Sequence, residues 1–156
     1  MEMKFKPKTV NYKKKVEESF HRQNFMKLIH ARLIDVKPGY CEIHIPYNST
    51  LTQQHGFFHA GIISTIADNT SGYASFSLMD ENSSILTVEF KLNLISPGDG
   101  DMLIGKSNVI KHGKTLTICR AEVYVVKNGK ETLCAASQST LIELKNRSDN
   151  NNTSFK

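Results

Sequence analysis

The chain has 156 residues, of which 39% are hydrophobic and 22% are charged, so its length and apolar content suit one folded domain. No apolar run approaches the roughly 18 residues of a membrane span, and the lysine-rich start lacks the apolar core of a secretory signal. The three cysteines, Cys41, Cys119 and Cys134, form no C-x-x-C pair, which argues against a disulfide framework and structural zinc and favours a reducing, cytoplasmic location.

The net charge of +5 comes from the two ends of the chain. Residues 1–15 carry +5 and residues 145–156 carry +2, which leaves −2 for residues 16–144. A nucleic-acid-binding domain is expected to have a basic stripe on its folded face, so we expect no nucleic-acid partner. We predict a basic flexible segment at 1–15, a single domain at 16–144 and a disordered polar tail at 145–156.

The apolar periodicity predicts an α+β order of elements. Helical spacing marks 16–29, and 59–79 is apolar or small on nearly every side, which predicts a long buried helix. Two strands are predicted before that helix in the sequence, at 31–36 and 41–46. Four more are predicted after it, at 85–95, 102–111, 115–126 and 132–144. One long apolar helix followed by four strands suggests an antiparallel sheet that curls around the helix.

The strand at 85–95 alternates between apolar and polar residues. Leu86, Val88, Phe90, Leu92 and Leu94 are expected on one face, with Thr87, Glu89, Lys91 and Asn93 on the other.

Asp68 is the only acid of the long predicted helix before Asp80. A carboxylate inside an apolar helix needs a partner or a purpose, because desolvating an unpaired carboxylate is costly. It is therefore either a general base or nucleophile in a narrow slot, or a structural acid hydrogen-bonded to the serines of its own helix.

Small residues surround the start of the same helix at Gly56, Ala60 and Gly61. They either let a ligand approach the free N–H groups of the helix N-terminus, which could stabilise an oxyanion, or merely relieve crowding. His55 and His59 stand four residues apart with no third ligand nearby in the sequence, so no metal site is predicted. His112, in a predicted hairpin turn, is expected to be exposed to solvent, and Cys119 and Cys134 are expected in the core.

Several short motifs together resemble those of one family. They are HGFFHAG at 55–61, AD at 67–68, LTVEFKLN at 86–93, HGKTL at 112–116 and EV at 122–123. In this combination the sequence resembles the PaaI-type acyl-CoA thioesterases of the hotdog fold, over about residues 16–144.

The resemblance implies a hotdog fold in which an antiparallel sheet wraps one central helix, here with an extra N-terminal helix. It also implies a homodimer whose sheets join edge to edge, often paired again into a dimer of dimers, with active sites at the dimer interface. The acyl-CoA substrate brings its own coenzyme A, and no further cofactor is implied.

The resemblance also implies roles for individual residues. Asp68 would be the general base or nucleophile, and Gln53 would position water or the substrate carbonyl. The Ala60 N–H, at the middle position of a His-Gly-Gly motif that reads His59-Ala60-Gly61 here, would polarise that carbonyl. His59 either holds the loop amide or packs. Substrate-binding roles fall to Gly61, to the strand residues Val88, Glu89, Phe90 and Lys91, and to the hairpin residues Lys111, Gly113, Lys114 and Thr115.

Two other functions stay open at this point. The same fold hosts acyl-thioester dehydratases and hydratases, and a non-catalytic acyl-CoA binding or sensing module is a further alternative. The acyl group is also open, because Phe57, Phe58, Tyr73 and Phe76 would suit an aryl or medium-chain tail but could equally fill the core. The sequence does not decide between a dimer and a tetramer.

Overall fold

The structure, a computed structural model, describes residues 5–149. The first residues of the predicted basic segment, 1–4, and most of the predicted tail, 150–156, lie outside the described residues. The elements in chain order are α1 Tyr12–Arg22, α2 Asn24–Leu28, β1 Arg32–Lys37, β2 Tyr40–Pro46, α3 Ala60–Phe76, β3 Ser84–Leu94, β4 Met102–His112, β5 Leu116–Lys127 and β6 Lys130–Leu144.

The six strands form one antiparallel sheet in the order β1-β2-β4-β5-β6-β3. Helix α3 packs against this sheet, and its apolar residues Ile63, Ile66 and Ala67 are buried there. Gly105 of β4 permits a close approach of the helix, because a Cβ at that position would lie 2.7 Å from Cγ1 of Ile66. The predicted hotdog fold, with additional helical structure at the N-terminus, is confirmed.

The predicted helix at 16–29 is two helices. Gln23 has an extended backbone (φ −71°, ψ 107°), which ends α1 and separates it from α2. Helix α1 also begins at Tyr12, so the boundary predicted at residue 16 falls inside a helix. Lys15 holds the first turn of α1 against the chain that follows α3, because its buried Nζ donates to the carbonyl oxygens of Met79 (2.8 Å) and Asp80 (3.0 Å). Burial lowers the pKa of Lys15 to about 8.

A β-bulge changes which residues of β3 face the helix. The register between β3 and β6 shifts between Thr87 and Glu89, so Val88 has no partner in the ladder. Thr87 is opposite buried Leu141 and Phe90 is opposite buried Ser139, which puts Thr87 and Phe90 on the same, helix-facing side. The predicted alternation placed Thr87 and Phe90 on opposite faces of the strand. It is therefore wrong, because it assumed an unbroken period of two.

A buried carboxylate ties the N-terminal segment to the sheet. Glu143 of β6 accepts hydrogen bonds from Oγ of Ser83 (2.7 Å), from the N–H of Asp80 (3.1 Å) and from Nζ of Lys8 (3.0 Å). Burial alone would raise the pKa of Glu143, but these donors outweigh it and lower the pKa to about 2.

We expect Glu143 to stabilise the fold above its ordinary pKa of 4.5 and to lose this effect as the pH falls towards about 2. At pH 7, Glu143→Gln should lower the free energy of unfolding by about 2 to 3 kcal/mol, and about half of that difference should be gone by pH 3. Urea denaturation across this pH range measures both values. Glu18→Gln, in an exposed pair with Lys14, is the control and should change little. An equal loss at pH 7 and pH 3 would contradict the assignment.

Candidate functional site

Asp68 lies on a partly accessible side of α3, beside the edge strand β3. Its Oδ1 accepts a hydrogen bond of 2.7 Å from Oγ1 of Thr87 in β3. The hydroxyl groups of α3 donate instead to carbonyl oxygens one turn earlier, Ser64 to Ala60 (2.8 Å) and Thr65 to Gly61 (2.9 Å). The structural alternative, an acid bonded to the serines of its own helix, is therefore not the arrangement observed.

The prediction that this helix is buried on all sides is wrong for the side that carries Asp68. Gly61 is exposed, and Thr65, Asp68 and Gly72 are only partly buried. These positions repeat every three to four residues, so they share one helix face, which is opposite the face that packs on β4 and is bordered by the edge strand β3.

The environment of Asp68 makes its carboxylate more basic than that of a surface aspartate. Burial raises the pKa of the Asp68 carboxyl, and the hydrogen bond from Thr87 opposes the rise only in part. Oδ2 has no hydrogen-bond partner among residues 5–149. One carboxylate oxygen is thus held in place while the other can accept a proton.

The start of α3 presents a free N–H group. His59 is the N-cap, and its Nδ1 accepts from the N–H of Gly61 (2.9 Å), so the proton of the neutral ring is on Nε2. A Cβ on Gly61 would lie 3.0 Å from that Nδ1, which explains the glycine. Nothing in the described part of the chain accepts from the N–H of Ala60, the first helical residue, so it points outward as an unused donor.

The loop before α3 binds both the backbone and the side chain of Gln53 to other residues of the same loop. The Gln53 N–H donates to the carbonyl oxygen of Phe57 (2.9 Å), and its side-chain Oε1 accepts from the N–H of His55. Gly56 adopts φ 80° to close this turn. Across residues 5–149, no hydrogen bond joins Gln53 to Asp68 or His59.

The predicted coenzyme A residues lie apart from Asp68 in the single chain. Val88 and Phe90 are exposed on the edge strand β3, and Glu89 and Lys91 line a surface cavity of about 440 Å³ together with Arg120.

Lys111 and Lys114 are exposed at the hairpin between β4 and β5, where the Gly113 N–H donates to the carbonyl oxygen of Leu116 (2.8 Å). Lys114 and Thr115 line another cavity of about 490 Å³. The chain by itself therefore does not gather the predicted substrate-binding residues into one site.

His112 is partly buried and the three cysteines are buried. The prediction that His112 is exposed is wrong: it is half-buried, its Nδ1 is 2.8 Å from Oγ1 of Thr117, and burial lowers its pKa. Cys119 and Cys134 are buried and unpaired, as predicted, and so is Cys41. Within the described ranges no group of three or more His, Cys, Asp or Glu side chains could hold a metal ion.

A cavity of about 600 Å³ opens beside Asp68 between α1, α3 and β3. Its walls include Gln23 from α1, Gly72 and Tyr73 from α3, and Thr87 from β3. The sequence analysis missed Gln23 and Thr87. Neither has a local signal, because Gln23 is joined to α3 only by the tertiary fold and Thr87 is turned inward only by the bulge.

The segment that carries these features matches a known family. Residues 55–132, from the loop before α3 to the beginning of β6, match the thioesterase superfamily. The chain belongs to this superfamily. Membership of this superfamily supports a hydrolase function that acts on thioesters.

Solved structures agree with this assignment. A thioesterase family protein from Silicibacter pomeroyi is 45% identical, covers 86% of this chain and 98% of its own, and superposes with a TM-score of 0.85. The PaaI protein of the Escherichia coli phenylacetic acid degradation operon is 15% identical over 86% of this chain and 94% of its own, with a TM-score of 0.77. A thioesterase from Haemophilus influenzae is 14% identical over 92% of this chain and 97% of its own, with a TM-score of 0.76.

The last two structures establish the fold, and the resemblance to PaaI-type proteins is confirmed at that level. No helix in the described ranges is long and apolar enough to span a membrane.

The contact between Thr87 and Asp68 can be tested by titration. Thr87→Val removes the hydrogen bond that favours the ionised carboxylate, so the pKa of Asp68 should rise above its wild-type value. Thr87→Ser keeps the hydroxyl group and should leave the pKa near wild type. Carboxyl ¹³C chemical shifts, followed by NMR against pH, measure all three proteins. The same Asp68 pKa in the valine variant and in wild type would show that the contact has no electrostatic role.

Proposed function

We propose that the protein is an acyl-CoA thioesterase that hydrolyses its substrate to a free acid and coenzyme A. The observation that carries this proposal is the Asp68 carboxylate, which has a raised pKa, one oxygen without a partner, and an adjacent cavity of about 600 Å³. The superfamily match over residues 55–132 supports the thioester chemistry.

Asp68 either removes a proton from the attacking water or attacks the carbonyl carbon itself. In both routes the C–S bond breaks and coenzyme A leaves as a thiolate, which is a good leaving group. The free N–H of Ala60 stabilises the negative charge that develops on the carbonyl oxygen. Gln53 orients the water or the carbonyl, and His59 caps the helix that presents the N–H.

The spacing of these groups supports a site shared between two subunits. Ala60 and Asp68 are eight residues apart in one helix, which is about 12 Å at 1.5 Å per residue. A nucleophile or base and an oxyanion donor must each come within about 3 Å of the same reacting group. One copy of α3 therefore cannot supply both, whereas the Ala60 N–H and Gln53 of a second subunit could face Asp68.

The edge strand β3 is the surface on which we place this homodimer. It pairs with β6 on one side only, and it exposes Leu86, Val88, Phe90 and Leu94. A long exposed apolar edge strand is a ready template for pairing with a second copy. Pairing of two β3 strands would join the two sheets, and further association into a dimer of dimers is part of the same proposal.

Coenzyme A requires positive charge for its phosphates. We assign this role to the exposed lysines Lys111 and Lys114, in the hairpin that also contains Gly113 and Thr115. Gly61 and residues 88–91 would accompany the pantetheine arm. The proposed reaction involves no metal ion or redox cofactor.

Release of free thiol from a panel of acyl-CoA substrates tests the reaction. A thioesterase releases thiol, whereas a dehydratase, a hydratase or a binding module does not.

Asp68→Asn should lower turnover by about 10² to 10⁴, as expected for the loss of a general base. The variant should be at least as stable as wild type at pH 7. A raised pKa means that ionisation of Asp68 opposes folding, and asparagine removes this cost while still accepting from Thr87. Thiol release and thermal unfolding are the two measurements. Asp99→Asn, in an exposed pair with Lys127, is the control. Near-normal turnover in Asp68→Asn would make Asp68 a structural residue.

Ala60→Pro removes the proposed oxyanion donor at a helix position that accommodates proline. Proline is tolerated at the first position of a helix, and His59 already has the extended backbone (φ −62°, ψ 141°) that precedes a proline. We expect kcat to fall by about 10² to 10³. Ala60→Gly keeps the N–H and should stay within a few-fold of wild type. Equal activity in the proline and glycine variants would exclude this N–H from the reaction.

Mixed dimers then test whether the site is shared. Asp68→Asn and Ala60→Pro chains co-expressed at equal levels form mixed dimers in about half of the population, and each mixed dimer has one intact site. Activity should return to roughly a quarter of wild type by this symmetry argument. If the activity equals the mean of the two parents while differently tagged chains co-purify, each site lies within one chain.

A further inference from the structure

Gly72 lies inside α3, one turn after Asp68, and nothing in the fold requires a glycine there. Glycine in a helix interior is less stable than alanine. Gly72 does not have the positive φ found at Gly39, Gly56 and Gly129. Apart from its two chain neighbours and the nearby backbone of α3 itself, a Cβ at residue 72 would meet no atom of residues 5–149 within 4 Å. Crowding and backbone conformation are therefore both excluded as reasons for this glycine.

The empty space beside Gly72 belongs to the cavity that contains Asp68. Positions four apart lie on the same helix face, so a side chain at residue 72 would project into this cavity next to the carboxylate. Ile85 and Leu141 give the cavity an apolar wall on the sheet side. An acyl chain whose carbonyl lies at Asp68 would thus pass over Gly72.

Hydrogen bonds from α1 and from Gln23, the residue that follows it, reach Tyr73 at another wall of this space. Nε2 of Gln23 donates to the hydroxyl oxygen of Tyr73 at 2.6 Å, and Oγ of Ser19 is 3.3 Å from the same oxygen. These bonds join α1 to α3 one residue beyond Gly72. The ion pair between Arg22 and Asp149 (2.7 Å) also lines the cavity, so its rim is polar and its free width beside Asp68 depends on residue 72.

We propose that Gly72 determines acyl specificity by leaving room for an acyl group much larger than acetyl between Asp68 and Tyr73. This inference rests on the proposed function, since it takes the cavity beside Asp68 as the acyl site. A larger residue at position 72 would then exclude large acyl groups and still admit acetyl.

Gly72→Ala and Gly72→Leu test the proposal as a size series. We expect kcat/KM for octanoyl-CoA to fall in the order glycine, alanine, leucine, by about tenfold or more in Gly72→Leu, while kcat/KM for acetyl-CoA stays within about threefold. Gly72→Ala should raise the melting temperature by about 2–4 °C, because alanine is the better helix former and meets no obstacle. The rise in stability shows that lost octanoyl-CoA activity is not a folding defect.

Binding of non-hydrolysable thioethers separates this inference from the proposed function. If wild type releases no thiol from any acyl-CoA, the proposed function fails, but calorimetry with S-octyl-CoA and S-ethyl-CoA still measures the size dependence. Selective loss of S-octyl-CoA binding in Gly72→Leu would support the inference. An unchanged octyl-to-ethyl affinity ratio would overturn it. An equal loss of both ligands, with dissociation of the dimer in gel filtration, would also overturn it, because residue 72 would then contact the partner copy.

Discussion

The close packing of α3 against β4 is the constraint on which the rest of the molecule depends. Ile66 is fully buried against Gly105, where even a methyl group on the sheet would overlap with it. Because the face with Ile66 and Thr70 packs on the sheet at Gly105, the solvent-accessible residues of α3 lie on the opposite face. Asp68 and Gly72 lie on that face. The polar site and the apolar core are thus two sides of the same helix, and neither can rotate without the other.

The second determinant is the bulge in β3. An extra residue at Val88 reverses the inside–outside alternation of the strand and brings the hydroxyl of Thr87 to the carboxylate of Asp68. Without it, an uninterrupted strand would place Thr87 and Phe90 on opposite faces. The bulge therefore supplies the one hydrogen bond that orients Asp68, in a position where burial has already raised its pKa. Bulges are frequent next to active sites because they re-aim a single side chain in this way.

The N-terminal helices belong to the architecture of the site as well as to that of the fold. Lys15 joins α1 to the chain just beyond the end of α3, and Gln23 joins it to Tyr73 beside the cavity. The break at Gln23 turns that side chain towards α3. The segment predicted to be basic and flexible thus continues into a helix that forms one wall of the cavity.

The sequence by itself determined the order and type of nearly every element, because the signals for them are local. Asn128 and Gly129 adopt the positive φ values (51° and 76°) that their turn demands. A lone carboxylate in an apolar helix was sufficient to single out Asp68.

Only the tertiary structure decided which side chains surround it. A bulge is a mismatch between two strands, and Gln23 contacts Tyr73, which is 50 positions away in the sequence, so neither leaves a pattern in a short window. The direction of the Asp68 pKa and the room beside Gly72 depend likewise on what packs around them, since desolvation and free volume are properties of the folded surroundings.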